Sequence, residues 1–101
     1  VNMKAAGLAA LAAGGNMAMG EAAVKGMLDA FGDVNKVTNS TASAAARLMA
    51  NTGMTGSEAG KLLKIMSDIN GNSIETNVNT LLAKDNLAEA GGVRTANETD
   101  C

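Results

Sequence analysis

The spacing of large apolar residues predicts three amphipathic helices in the second half of the chain, over about 40–52, 56–70 and 73–90. In each segment the apolar residues recur three and four positions apart, which places them on one face of a helix. The last two segments are joined by a short turn. We therefore expect them to fold back on each other as a hairpin and to bury these faces together. Their predicted core consists of Leu62, Leu63, Met66, Ile69, Ile74, Val78, Leu81 and Leu82.

Polar residues and glycines mark the ends of these helices. Thr55 and Glu58 have the spacing of a capping box, in which each side chain accepts a hydrogen bond from the backbone of the other residue. Gly53 and Gly71 are placed to end the helices that precede them. The remaining starts have several candidate caps, which are Asn39, Ser40 or Thr41 for the first helix and Asn72 or Ser73 for the last.

Residues 3–31 have a different pattern, because more than half of them are Ala or Gly and no proline interrupts them. We predict one long helix that packs closely against other helices, since rows of small residues let two backbones approach each other. Packing against helices of its own domain is the alternative to packing against other chains. The row expected to make these contacts has a small residue at every fourth position: Ala6, Ala10, Gly14, Ala18, Ala22, Gly26 and Ala30.

A seven-residue repeat competes with this four-residue row. Apolar residues recur every seven positions, with further small or apolar residues between them, as in the seam of a coiled coil. Both patterns predict a helix that lies against other helices at short range. The repeat consists of Met3, Ala10, Met17, Val24 and Phe31.

The predicted fold class is therefore all-α, with one long Ala/Gly-rich helix followed by three short amphipathic helices. Residues 3–31 form the small-residue segment, and residues 32–39 form a linker rich in turn-forming residues. Residues 40–90 carry the short helices. Residues 91–101 form a polar tail that ends in Cys101, which is expected to have no role beyond that of a tail residue.

The composition indicates that residues 3–31 need packing partners. Hydrophobic residues make up 47 % of the 101 residues, but aromatic residues make up only 1 % and there is no Trp. An isolated domain of this size must bury roughly 60–70 % of its surface, and small side chains supply little of it. We therefore expect residues 3–31 to gain order mainly from partners, which are copies of the same chain or another helix.

Charge and residue types exclude most chemistry. The formal net charge is −2, no basic stripe is present for sequence-specific contact with nucleic acid, and His is absent. The segment from Asp68 to Asn79 has some features of a calcium loop. However, it has Ser73 where such a loop needs glycine and Asn79 where it needs a carboxylate. We expect no catalytic residue, no cofactor and no metal.

The sequence over about 35–93 resembles a segment of a tailed-bacteriophage tape measure protein. The resemblance is carried by "TGMTGSEA" at 52–59, "KLLKIM" at 61–66 and "LLAKDNLAEAGG" at 81–92, and by composition alone over 3–31. It implies a fragment of a longer structural chain that has no catalytic motif in this region. Such a chain occupies the lumen of a phage tail, contacts tail-tube or tail-tip proteins and helps to set the tail length. It also implies release into the host envelope at infection, with transient membrane contact that aids DNA passage. Copies of such a chain are expected to associate in three-fold or six-fold rings, as a trimer or a hexamer.

The alternative function is a small membrane-active or holin-like protein, in which residues 3–31 span the bilayer. A spanning helix needs about 20 predominantly apolar residues. The uninterrupted apolar run here ends at Asn16, and Glu21 and Lys25 follow it. A helical binding module or a secretion-system component is a third possibility. Of these functions, a structural protein agrees best with the sequence resemblance and with the lack of predicted catalytic or metal-binding residues.

Overall fold

A computed structural model of the chain describes residues 1–91, and for residues 84–91 it describes the backbone only. Residues 92–101, which include most of the predicted polar tail and Cys101, lie outside the described residues. The described part is all-α, as predicted, and it contains no strand. One 3-10 helix, Val34–Lys36, connects the second and third α-helices. The α-helices are α1 (Met3–Ala12), α2 (Ala18–Phe31), α3 (Asn39–Thr52), α4 (Gly56–Asn70) and α5 (Ile74–Gly91).

The three predicted amphipathic helices correspond to α3, α4 and α5. The capping box at the start of α4 is present: the Thr55 hydroxyl accepts a hydrogen bond from the Glu58 backbone N–H at 3.1 Å. In return, the Glu58 carboxylate accepts one from the Thr55 backbone N–H at 2.9 Å. Gly53 and Gly71 end α3 and α4 in the left-handed conformation. Each of these helix ends depends on hydrogen bonds between residues at most four positions apart, so it can be predicted from the sequence.

The start of α3 differs from the prediction. Its cap is Thr38, whose hydroxyl accepts a hydrogen bond from the Thr41 backbone N–H at 3.1 Å. The Thr41 hydroxyl accepts one from the Thr38 backbone N–H at 2.9 Å. Asn39 and Ser40 are already inside the helix, because Thr38 and Thr41 have the three-residue spacing that this reciprocal pair requires. At the start of α5, the Ser73 hydroxyl accepts a hydrogen bond from the Thr76 backbone N–H at 3.1 Å.

The prediction of one long helix over residues 3–31 is wrong. Helix α1 ends at Ala12 and α2 begins at Ala18, with Gly14 between them at φ 95°. Each glycine costs about 1 kcal/mol relative to alanine inside a helix, whereas glycine adopts this left-handed conformation without steric penalty. The Gly15 backbone N–H donates to the Ala10 carbonyl at 2.8 Å and closes the end of α1. Neither the four-residue row nor the seven-residue repeat therefore follows one continuous helix.

The turn after α1 brings α1 and α2 into backbone contact. A methyl group added at Gly20 would collide with the backbone of Gly7 and with the carbonyl oxygen of Met3. Both glycines are buried. This contact forms only because the helix breaks, since a continuous helix would hold Gly7 and Gly20 about 20 Å apart at 1.5 Å per residue.

A second backbone contact joins α2 to α4, and these two helices share the most extensive contact in the described fold. A methyl group at Gly60 would collide with the carbonyl oxygen of Gly26, and one at Gly56 would collide with that of Ala22. Ala30 also lies near Gly60. Small residues spaced four apart on both helices therefore make the contact.

Helix α3 lies at the centre, because it contacts each of the other four α-helices. The core around it contains many alanines, and its largest fully buried apolar side chains are Met27, Leu48, Leu63, Val24 and Val78. Residues 3–31 supply several members of this core. Residues 3–31 thus pack against other helices of the same chain, which the composition did not lead us to expect.

The predicted hairpin of the last two helices is only a minor contact. Helix α4 packs mainly on α2, and α5 packs mainly on α3. Of the predicted core residues, Leu63, Ile74 and Val78 are buried, and a further four are half-buried: Leu62, Met66, Leu81 and Leu82. The prediction for Ile69 is wrong, because 81 % of its surface is exposed. Helix α4 turns its glycine face toward α2, and Ile69 lies on the opposite face.

Replacing Gly60 by alanine should destabilise the fold, although alanine favours a helix by about 1 kcal/mol. The new methyl group would meet the Gly26 carbonyl oxygen, and overpacking of a tight contact costs about 1–3 kcal/mol. We expect a lower urea midpoint of unfolding. The matched control is Lys61→Ala on the exposed face, which should change the free energy of unfolding by less than about 0.5 kcal/mol. A Gly60→Ala variant more stable than the parent chain would contradict the close contact.

Candidate interaction surface

Helix α1 is apolar on nearly all sides, because Lys4 is its only charged residue. The side that faces α2 and α3 carries Ala6, Gly7 and Ala10, which are buried. The backbone contact with α2 admits only small residues there. The larger side chains of α1 therefore lie on the outer side, and Leu8 and Leu11 are each 51 % exposed.

Four apolar side chains on α1 or just after it are exposed, and we call them together the α1 patch: Met3, Leu8, Leu11 and Met17. Met3, Gly7 and Leu11 follow one row of the helix at four-residue spacing. The Met17 methyl carbon lies 3.1 Å from the position that a Cβ would take at Gly7, so Met17 packs against α1 next to its contact with α2. Leu8 lies beside Leu11, one turn earlier. Leu8 and Leu11 are therefore neighbours on one face of α1, and Met17 lies against the same helix.

The α1 patch can bind only by burial of apolar surface. Its side chains carry no charge, and methionine and leucine offer at most a weak hydrogen-bond acceptor. Neighbouring exposed apolar side chains, unlike single scattered ones, indicate an interaction site. Sequence reasoning singled out the small residues of this segment and missed Leu8 and Leu11. The nearly uniform apolarity of α1 gave no indication of which side would face outward.

The structure divides the predicted packing row among different surroundings. Ala6 and Ala10 are buried on α1. Gly14 lies in the turn and Ala18 is exposed at the start of α2, so neither contributes to the contacts between helices described above. Contact of this first part of the row with a second chain stays a prediction.

The other three residues of the row, Ala22, Gly26 and Ala30, face α4 within the same chain. Their partners are Gly56 and Gly60, which have the same four-residue spacing. The sequence "GSEAG" at 56–60 contained the signal for this pairing, since it is itself a row of small residues on a helix.

A shallow cleft of about 400 Å³ lies where the end of α2 approaches the α4–α5 corner. Several of its polar groups already have partners. The Thr41 hydroxyl accepts a hydrogen bond from the Thr38 backbone N–H, and the Ser73 hydroxyl caps α5. The Glu75 carboxylate accepts a hydrogen bond from Ser40 at 2.6 Å. The lining residues are Phe31, Asn35, Lys36, Thr38, Thr41, Ser67, Asn72, Ser73, Ile74 and Glu75. We find no convergent set of unpaired polar groups in it that would favour one ligand.

Within the residues that the structure describes, no group of three or more His, Cys, Asp or Glu side chains is placed to hold a metal ion. The segment examined as a calcium loop consists of the end of α4, a glycine turn and the start of α5. The Asp68 carboxylate forms an ion pair with Lys64 on the preceding turn of α4. The negative charge of Asp68 is thus already paired with a positive charge of the same helix.

The exposed side of α2 carries one ion pair, in which Lys25 Nζ lies 2.9 Å from Glu21 Oε2. The hydrogen bond from Lys25 and its positive charge lower the pKa of Glu21, and the same contact raises the pKa of Lys25. Because the folded-state pKa of Glu21 is lowered, the contribution of this pair is present at neutral pH and is lost as the pH falls through that pKa. Both groups are solvent-exposed, so the pair contributes little to the stability of α2.

No protein family model, curated protein or solved structure matches this chain. Among the described residues, we find no helix that combines the length and the apolarity needed to cross a bilayer.

Addition of calcium should leave the thermal midpoint of unfolding unchanged, because both carboxylates of this segment already have partners: Asp68 is paired with Lys64, and Glu75 accepts a hydrogen bond from Ser40. Magnesium at the same concentration serves as the control for ionic strength. A rise in the midpoint with calcium alone that disappears in Asp68→Ala would identify a calcium site at the α4–α5 corner.

Proposed function

We propose that this chain is a non-enzymatic structural segment that packs against further copies of itself in a larger assembly, and that the assembly is a phage tail of the tape measure type. The α1 patch is the observation that supports the assembly role. The resemblance of residues 35–93 to tape measure proteins supports the phage-tail context. Tail-tube or tail-tip proteins are the further partners that this context implies.

The size of the α1 patch favours assembly in several copies over a stable pair. Full burial of a leucine or methionine side chain contributes about 1.5–3 kcal/mol, so the exposed halves of the four side chains contribute roughly 4 kcal/mol per patch. Association itself costs about 4–15 kcal/mol. Two patches together contribute roughly 8 kcal/mol, which lies within this range of costs and leaves little surplus for a stable pair. In an array, each copy contacts more than one neighbour. The high effective concentration of these neighbours then compensates in part for the weak binding between any two copies.

In this proposal the described residues form one structural unit of a longer chain in the lumen of the tail, where repeated units help to set its length. Trimers or hexamers are the expected arrangement from the resemblance. The compact packing of α2 on α4 suits a narrow tube, because small residues keep the distance between helix axes short. Release into the host envelope at infection would expose the α1 patch to lipid.

The membrane-active alternative depends on the same patch but needs a different conformation. It requires a continuous helix over residues 3–31, whereas α1 has ten residues and ends at Ala12. At 1.5 Å per residue α1 is about 15 Å long, and the hydrocarbon core of a bilayer is about 30 Å thick. Membrane insertion would therefore require the turn at Gly14 to become helical.

Replacing Leu11 by glutamate should weaken self-association by at least about tenfold, because burial of an unpaired carboxylate in an apolar contact costs more than the 1.4 kcal/mol that this factor represents. Sedimentation velocity over a range of protein concentrations measures the effect. Leu8→Glu should behave in the same way. Each variant should lower the free energy of unfolding of the monomer by no more than about 1.5 kcal/mol, since only half of each side chain is buried.

Ile69→Glu is the matched control, because Ile69 is an exposed apolar residue on another helix. It should associate as the parent chain does. Association should also persist at high salt, since the α1 patch is uncharged. A parent chain that stays monomeric at every concentration, and that binds neutral lipid vesicles through Leu8 and Leu11, would favour the membrane-active alternative. Equal loss of association in Ile69→Glu and Leu11→Glu would exclude the α1 patch as the specific contact.

The phage context has a separate test. A reading frame that extends several hundred residues beyond this segment, next to genes for tail-tube proteins, would support the tape measure role. A frame of about this length beside lysis genes would contradict it. This outcome is independent of whether the α1 patch mediates association.

A further inference from the structure

A buried asparagine holds the corner between α4 and α5. Asn77, on the first turn of α5, is only 1 % exposed, and it is buried together with Ile74 and Val78 of the same helix. Its side-chain oxygen accepts a hydrogen bond from the Asn70 side-chain amide at 2.9 Å. Its own amide donates to the Ser67 hydroxyl at 3.2 Å. The last turn of α4 is thereby tied to the first turn of α5.

The outer member of this network has a special chemical setting, because Asn70 is the one asparagine in the sequence that is followed by glycine. In most Asn-X sequences the side chain of X shields its backbone nitrogen from the preceding asparagine. Gly71 has no side chain, and Asn70 is exposed. The Gly71 nitrogen is therefore the least hindered internal nucleophile that any asparagine of this chain has beside it.

We propose that Asn70 is a site of spontaneous deamidation, and that the modification loosens the α4–α5 corner. The Gly71 backbone nitrogen attacks the carbonyl carbon of the Asn70 side chain, its proton is lost, and the side-chain nitrogen leaves as ammonia. The resulting five-membered succinimide then adds one water molecule. Opening of one of its two ring C–N bonds gives aspartate, and opening of the other gives isoaspartate. Water is the only co-reactant.

The fold holds back the first step. The Gly71 backbone N–H donates to the Ser67 carbonyl at 2.8 Å, so the nucleophile is engaged in the helix end. The Asn70 side-chain oxygen accepts a hydrogen bond from the Asn72 backbone N–H at 2.8 Å, and its amide is held by Asn77. The attack requires these bonds to break together. The frequency with which the corner opens therefore sets the rate of modification.

Both products remove the donor on which Asn77 depends. A carboxylate at neutral pH only accepts hydrogen bonds, so it cannot donate to the Asn77 side-chain oxygen as the Asn70 amide does. Two oxygen atoms, each an acceptor, would then face each other. Because Asn77 is buried, water does not readily replace the lost donor, and an unsatisfied buried acceptor is destabilising. Isoaspartate also adds one backbone atom beside the left-handed Gly71, which changes the turn itself.

The modification is tested by incubation of the full chain at mildly alkaline pH, in buffer and in concentrated urea, followed by peptide mapping with mass spectrometry. Asn72, which precedes Ser73 in the same turn, is the internal control. In urea, residue 70 should convert before residue 72. In buffer, its conversion should be at least about tenfold slower than in urea. If Asn72 converts before Asn70 in urea, Asn70 is not the preferred deamidation site. If Asn70 converts at the same rate in buffer and in urea, the folded structure does not slow its deamidation.

The effect on the corner is tested with Asn70→Asp, which reproduces the aspartate product. Its thermal midpoint should fall below that of the parent chain, whereas Asn72→Asp should keep the parent midpoint although it adds the same charge two residues away. Asn70→Ala removes the donor without adding charge, and it should show part of the same loss. Equal midpoints for the parent chain, Asn70→Asp and Asn70→Ala would show that the corner does not depend on this residue.

Discussion

The backbone contact between α2 and α4 is the constraint on which the rest of this structure depends. Gly26, Gly56 and Gly60 place the two helices so close that a methyl group at any of them would meet main-chain atoms. Dispersion contacts between backbones thus replace the interdigitated large side chains of an ordinary helical core. This replacement explains how a chain with one aromatic residue and abundant alanine forms a core within a single copy.

The same constraint determines which side chains remain at the surface. Where two helices touch at their backbones, large side chains have no room in the contact and must lie elsewhere. Leu8 and Leu11 on α1, and Ile65 and Ile69 on α4, accordingly lie outside. The α1 patch is therefore a direct consequence of packing with small residues. The proposed assembly role uses apolar surface that the fold could not bury.

The helix ends follow a different logic, because they are held by short-range hydrogen bonds. Thr38 with Thr41, Thr55 with Glu58, and Ser73 with Thr76 begin three of the helices. The Asn77 network adds a longer link between α4 and α5, whose packing contact is minor. Stability at this corner thus depends on polar groups, which makes it sensitive to a change in one donor.

The sequence by itself determined the helical class, the bounds of α4 and the glycine stops of α3 and α4. These features depend on residues three or four positions apart, and those neighbours are visible in the sequence. It did not determine whether Gly14 and Gly15 would interrupt a helix, because a penalty of about 1 kcal/mol per glycine is small enough for tertiary contacts to override. It also did not show that Ile69 and Leu11 would face outward. Only the tertiary structure decided these points, since backbone contacts between distant glycines determine which helix faces have room for a side chain.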